Sequence, residues 1–197
     1  MSGTPMQPHL QYETQLLMVR ESLAELPPLN LADGYSARCL QPGDERAWEH
    51  IITASFQSEF SFDAHMRQDK SYRPERVWFV CHEGTPVATA SAWHEPKFGE
   101  ATGYVHMVGA LAGHAGKGLG FGVSLAALHR MRQEGRTRAM LNTDDFRLPA
   151  IVTYLKLGFA PQLAADDHLA RWTALAGLLG AGSIRCIGAD GTDLHAG

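Results

Sequence analysis

A mixed α/β fold, one sheet flanked by helices, is what this sequence predicts, on three observations. Segments that read as strands recur at 35–40, 76–82, 86–93, 104–111 and 138–143, most clearly at Val77-Trp78-Phe79-Val80. Between them lie stretches whose apolar residues fall at helical spacing, so that the order reads β-α-β-β-β-α-β-α. Glycine and proline punctuate the joins. A length of 197 residues fits one domain with an appendage, and 45% hydrophobic against 19% charged residues is enough apolar material for a core.

Taken in order, residues 1–9 carry two prolines and read as a loose terminus. The apolar run Leu16-Leu17-Met18-Val19 suits a strand or a short helix equally, and Pro27-Pro28 ends the leader. This gives an N-terminal extension over 1–33, a main domain over 34–162, and a C-terminal helix with a frayed, glycine-rich tail over 163–197. Pro42-Gly43-Asp44 reads as a turn with Asp44 capping a helix over 45–56, where Trp48, Ile51, Ile52 and Phe56 share a face. Residues 57–75, with Phe60, Phe62, Met66 and Tyr72, suit a short helix and a loop. Glu83-Gly84 joins the next two strands as a hairpin. A helix follows over 118–133, then a short one over 149–157 with Pro149 in its first turn and Gly158 past its end, and a last one over 166–179.

Composition excludes several classes. A net charge of −4 offers no general field for nucleic acid. No apolar run approaches the ~18–20 residues of a membrane span. Cys39, Cys81 and Cys186 are too scattered for a disulfide framework or a zinc site, and His94-Glu95 lacks the second histidine of a zinc helix because Phe98 stands there. The expectation is a cytoplasmic protein without metal, monomeric or homodimeric.

The segment Val108-Gly-Ala-Leu-Ala-Gly-His-Ala-Gly-Lys-Gly-Leu-Gly-Phe-Gly122 runs from an apolar strand through alternating glycines into a helix. Such a join gathers unpaired backbone N–H groups at a helix N-terminus, where the dipole and Lys117 add positive charge. That suits a pyrophosphate site, or a glycine-rich loop that merely lets strand and helix pack. It is not a P-loop, because Gly118 rather than Ser or Thr follows Lys117, and no GxGxxG register fits it.

Ala115-Gly116-Lys117-Gly118-Leu119-Gly120 resembles the coenzyme A loop of the GNAT acetyltransferase superfamily, Arg/Gln-x-x-Gly-x-Gly/Ala, with both glycines in place. Ala150-x-x-x-Tyr154-x-x-x-Gly158-Phe159 resembles the family's later Ala-x-x-x-Tyr-x-x-x-Gly-Phe segment. Departures are Ala115 for Arg or Gln, Ala112 for Pro, and Arg147 for Asn; His114 and Lys117 are the neighbours that could replace the donor lost at 115. The resemblance covers roughly residues 34–162. It implies a mostly antiparallel sheet whose fourth and fifth core strands diverge to form a cleft. Acetyl-coenzyme A would lie there as co-substrate, its pantetheine on the edge of Val108, Gly109 and Ala110, its pyrophosphate on Gly116, Lys117, Gly118, Leu119, Gly120 and Phe121.

The chemistry so implied is transfer of an acetyl group to a primary amine of a small molecule in a ternary complex. Fourth-strand N–H groups would polarise the carbonyl and Tyr154 would protonate the leaving thiolate. Core packing explains Tyr154 as well, since Ala150 and Leu157 share its helix face. His106 suits a base or substrate contact, or a hydrogen-bonded core position. Trp93 and the 60–72 loop suit the acceptor wall or the core. Asn142 and Asp144, with Thr143 and Asp145, suit substrate binding or turn and cap formation, and two carboxylates would favour a cationic amine. The other function class is a catalytically weak module of the same shape that binds coenzyme A and regulates a partner protein.

Overall fold

A computed structural model describes residues 14–197, so the expected loose terminus at 1–9 lies outside the described residues. Its elements are β1 (Leu16–Arg20), β2 (Tyr35–Cys39), α1 (Glu45–Phe56), β3 (Val77–His82), β4 (Thr85–Trp93), β5 (Thr102–Ala110), α2 (Leu119–Gln133), β6 (Arg138–Thr143), α3 (Leu148–Lys156), β7 (Ala160–Gln162), α4 (His168–Leu179), β8 (Ile184–Ile187) and β9 (Asp193–Ala196). The strands form one sheet in the order β2-β3-β4-β5-β6-β1-β7-β8-β9. Only β5/β6 and β7/β8 pair in parallel; every other neighbour is antiparallel. The expected mixed, mostly antiparallel architecture is therefore what forms.

The two faces of the sheet carry separate cores. On one, α2, α3 and α4 bury Leu125, Leu128, Ile151 and Trp172 against Leu16, Met18, Ala90 and Leu141. On the other, α1 lays Trp48, Ile51 and Ile52 on Val77, Phe79 and Trp93, with Phe62 and Met66 of the following loop closing the cluster. Residues 63–67 make one wide helical turn there, as the short helix expected in that loop requires.

The leader is not laid over the domain. It forms β1, which inserts between β6 and β7 with Leu16 opposite Thr143 and Arg20 opposite Ala139. A central strand is covered on both faces, which is why its apolar run is continuous rather than alternating. Leu16 and Met18 face α2–α4, while Leu17 and Val19 meet Met140 and Ala160 behind. Leu23 is fully buried, and Leu31 lies so close to α2 that a Cβ on Gly122 would fall 2.6 Å from its Cδ2. The tail does not fray either. Beneath α4 it folds into the β8–β9 hairpin, burying Ile184, Cys186 and Ala196.

Asp44 occupies the position before α1 without capping it. Its carboxylate is taken by Arg38, at 2.5 and 3.1 Å, and by the Gln41 N–H at 2.7 Å, which pins the turn instead. Among the described residues no helix is long and apolar enough to cross a membrane.

Candidate active site

The cleft originates in strand pairing. β5 and β6 are in register only from Thr102–Tyr104 to Arg138–Met140. Beyond that point they part, and the β5 edge from Val105 to Ala110 has no strand beside it. A bulge against β4, with Met107 at φ 51°, turns the β5 backbone where the cleft opens. The gap widens into a cavity of about 580 Å³.

Val108, Gly109 and Ala110 all line it, as does Gly120. The Ala110 N–H, however, donates to Ser55 Oγ at 3.0 Å, so that donor is already occupied. A side chain on Gly109 would strike Ser55 and α1, hence the glycine.

The loop entering α2 behaves as its glycines require. Gly116 and Gly118 have φ of 76° and 69°, in the left-handed region. Gly118 is the cap position of α2 and no side chain caps the helix, nor does an acidic residue sit in its first turn. The uncapped N–H groups and the exposed Lys117 thus stand together at the start of α2. Leu119 is buried, so it can meet a ligand only through its backbone, while Phe121 packs partly into the core. His114 does not stand in for the missing side chain at 115. Its Nδ1 is 2.8 Å from the Tyr35 hydroxyl, and its ring lies 5.1 Å from that of His82.

Tyr154 faces the cavity from α3. Its hydroxyl has no hydrogen-bond partner among the described residues, while its ring packs on Phe159. Burial raises its pKa above the ordinary value near 10, the Arg147 charge pulling the other way. The phenol is thus a proton donor throughout the neutral range.

Across the cleft, on the α1 face, lie His106, Tyr104 and Asn142. His106 has no hydrogen bond among the described residues. Its ring sits between Trp93, at 5.2 Å, and Tyr104, at 6.0 Å. Burial lowers its pKa to about 4, with Asp69 opposing and His65 adding to the shift. The ring is therefore neutral at pH 7. Trp93 backs His106 and does not reach the cavity. Tyr104, pushed up to about 12 by burial first and the Glu95 charge second, stays protonated and donates to Asn142 Oδ1 at 3.3 Å.

The lowered imidazole has a consequence for stability. Between about pH 6.5 and pH 4 the unfolded chain binds a proton at His106 that the folded chain does not, so stability falls as pH falls through that window. His106→Gln is expected to flatten that part of a urea-midpoint profile measured from pH 7.5 to 4. An unchanged slope would place the imidazole in water.

The pair of carboxylates at the end of β6 separates. Asp145 turns away and is bound by Arg171 at 2.5 and 3.1 Å. Asp144 stays at the cavity, where Arg147 Nε donates to Oδ2 and Gln15 Nε2 to Oδ1, each at 3.1 Å. Two free acids awaiting a cationic amine are therefore not present.

A profile of the acetyltransferase (GNAT) family matches residues 45–159. The chain belongs to that family. Its relatives include the mycothiol acetyltransferases of Pseudarthrobacter chlorophenolicus, 32% identical over 69% of this chain and 46% of that one, and of Thermomonospora curvata, 31% identical over 73% and 51%. The chain spans about half the length of the relatives it matches. Among solved structures, a GCN5-related N-acetyltransferase from Kribbella flavida superposes with a TM-score of 0.55 at 22% identity, over 75% of this chain and 54% of that one. Another, from Sphaerobacter thermophilus, gives 0.57 at 20%, over 74% and 47%. These likenesses are of fold.

Within the GNAT frame, the cavity residues that the sequence did not single out as candidates include Gln15 and Phe56. Gln15 arrives on the leader just before β1, 129 residues from its partner Asp144. Phe56 carries a helix-face signal indistinguishable from core. Thr143 is buried, and its hydroxyl has no partner among the described residues.

Proposed function

We propose that this GNAT chain transfers the acetyl group of acetyl-coenzyme A to a primary amine of a small molecule. The observation that carries the reading is the unpaired β5 edge. It runs from the uncapped N-terminus of α2 to a cavity holding an unpartnered tyrosine hydroxyl on one side and a neutral histidine on the other. A pyrophosphate at Gly116–Gly120 would direct the pantetheine along β5, and the thioester would reach the bulge at Met107.

The neutral amine attacks the thioester carbonyl. Its nitrogen forms the new C–N bond while β5 backbone N–H groups near the bulge stabilise the oxyanion. Collapse breaks the C–S bond, and Tyr154 gives its proton to the departing thiolate. The proton lost by the amine leaves through His106 or water and restores the tyrosine. With a pKa of about 4, His106 is a poor resting base for an ammonium ion, so its role is to accept a hydrogen bond from an amine that arrives neutral.

Tyr154→Phe tests this directly. It keeps the ring and removes the donor, and is expected to lower kcat by about 10²-fold, the usual worth of a general acid, with acetyl-coenzyme A affinity nearly unchanged. Measured as thiol release with an amine panel, an unaltered kcat would leave Tyr154 as packing alone. Binding of the cofactor without turnover of any amine would favour the regulatory module.

A further inference from the structure

Resting on the acetyl-transfer reading, we infer that the acceptor is an amine that also carries a carboxylate, held by Arg147. The residue sits where the β6–α3 loop turns into α3, in the position where the family usually has Asn. Its guanidinium carbon lies 4.0 Å from the centroid of the Phe56 ring and 5.3 Å from that of Phe146. A planar cation pinned on an aromatic face has its orientation fixed and its N–H edge free to point sideways.

Of that edge, only Nε is engaged, by Asp144 Oδ2. Neither terminal nitrogen donates to any described residue. Four N–H bonds in fork geometry thus remain at the wall of the cavity that Arg147 shares with Phe56, Asn142 and Asp144. Asp144 has donors on both oxygens, from Arg147 and from Gln15, so it positions the guanidinium rather than collecting an ammonium ion. The unsatisfied group on the acceptor side is a cation, and the complementary ligand is an oxyanion. A carboxylate matches the planar fork through two parallel bonds.

The cofactor's own phosphates are the rival anions, since Gly120 at the start of α2 lines the same cavity as Arg147. Stacking on Phe56 of α1 holds the guanidinium beside Asn142 and Asp144, and the KM for acetyl-coenzyme A in Arg147→Met separates the two anions. Nearest the acceptor cavity, His106 is neutral, and among the described residues no other cation lines the wall.

The experiment uses the full chain with acetyl-coenzyme A and a panel of proteinogenic amino acids, each beside its carboxamide and its decarboxylated amine, with O-phosphoethanolamine and ethanolamine as a phosphate pair. At least one free amino acid is expected to exceed its amide in kcat/KM by about 10- to 100-fold, the worth of a charge-assisted pair. Arg147→Met is expected to raise KM for that acid by a similar factor, to erase the preference over the amide, and to leave KM for acetyl-coenzyme A within about twofold; Arg147→Lys is expected to recover part of the loss.

Equal or better turnover of the amides and amines overturns the inference, as does preference for the phosphate. So does a rise in the KM of acetyl-coenzyme A in Arg147→Met, or cofactor binding by calorimetry with no free acid in the panel acetylated. Wherever an amide or amine of the panel is still acetylated, the acetyl-transfer reading survives; cofactor binding without turnover of any amine favours the regulatory module instead. Absence of acetyl-coenzyme A binding removes that reading itself, and the two failures are thereby told apart.

Discussion

A variant beginning at Gly34, without the leader, is expected to lose cooperative folding. Among the described residues β1 alone links β6 and β7 in the sheet order, and removing it leaves two strand edges facing a gap. With it go the buried side chains of Leu16, Met18, Val19 and Leu23. Each is worth about 1.5–3 kcal/mol of burial, which together is of the order of a domain's whole net stability of ~5–15 kcal/mol. Arg20 is lost too, whose guanidinium ties the backbone carbonyls of Leu157 and Ser22. Far-UV circular dichroism and a thermal melt distinguish the outcomes. A cooperative transition within a few degrees of the full chain would mean that the leader is an appendage after all.

The second large effect is expected at Gly118. A Cβ built there meets nothing within 4 Å, so Gly118→Glu has room, and its cost is the left-handed φ of 69°. Such strain amounts to about 1–3 kcal/mol, which leaves the fold intact. The carboxylate, however, would stand at the uncapped start of α2 and occupy the anion site with its own charge. Affinity for acetyl-coenzyme A is expected to fall at least ~100-fold, a loss of two charge-assisted contacts at about 1.5 kcal/mol each. Gly118→Ala carries the same backbone strain without the charge, and is expected to lose no more than a few-fold. Equal losses in the two variants would assign the effect to loop geometry rather than to the anion.

What the sequence made legible follows from which signals are local. Trp48, Ile51 and Ile52 form a helix face within five residues, the strands at 76–93 adjoin their turn, and the glycine loop contains all of its own geometry. The leader strand was ambiguous for a physical reason: burial on both faces abolishes the alternation that marks a strand, and Leu16-Leu17-Met18-Val19 reads alike in helix or sheet. The tail was obscured by glycines that break the pattern between β8 and β9 without preventing the hairpin.

Side-chain partnerships across the chain were invisible for the same reason of distance. Asp145 looked like a substrate carboxylate until Arg171, 26 residues on, took it. Asp44 looked like a cap until Arg38 claimed it. Gln15 gave no signal at all. Arg147 did, as a departure from the family pattern. The ring of Phe56 beneath it, which no local signal revealed, fixes the orientation of that cation at the cavity wall.

The claim on which the rest depends is that the cleft between β5 and β6 holds acetyl-coenzyme A. Calorimetric titration of the cofactor into the purified wild-type chain tests it most directly, beside folded Gly118→Glu. The account predicts saturable binding at one site per chain, abolished in the variant. No heat of binding up to about 1 mM cofactor, an affinity weaker than ~4 kcal/mol, would contradict it.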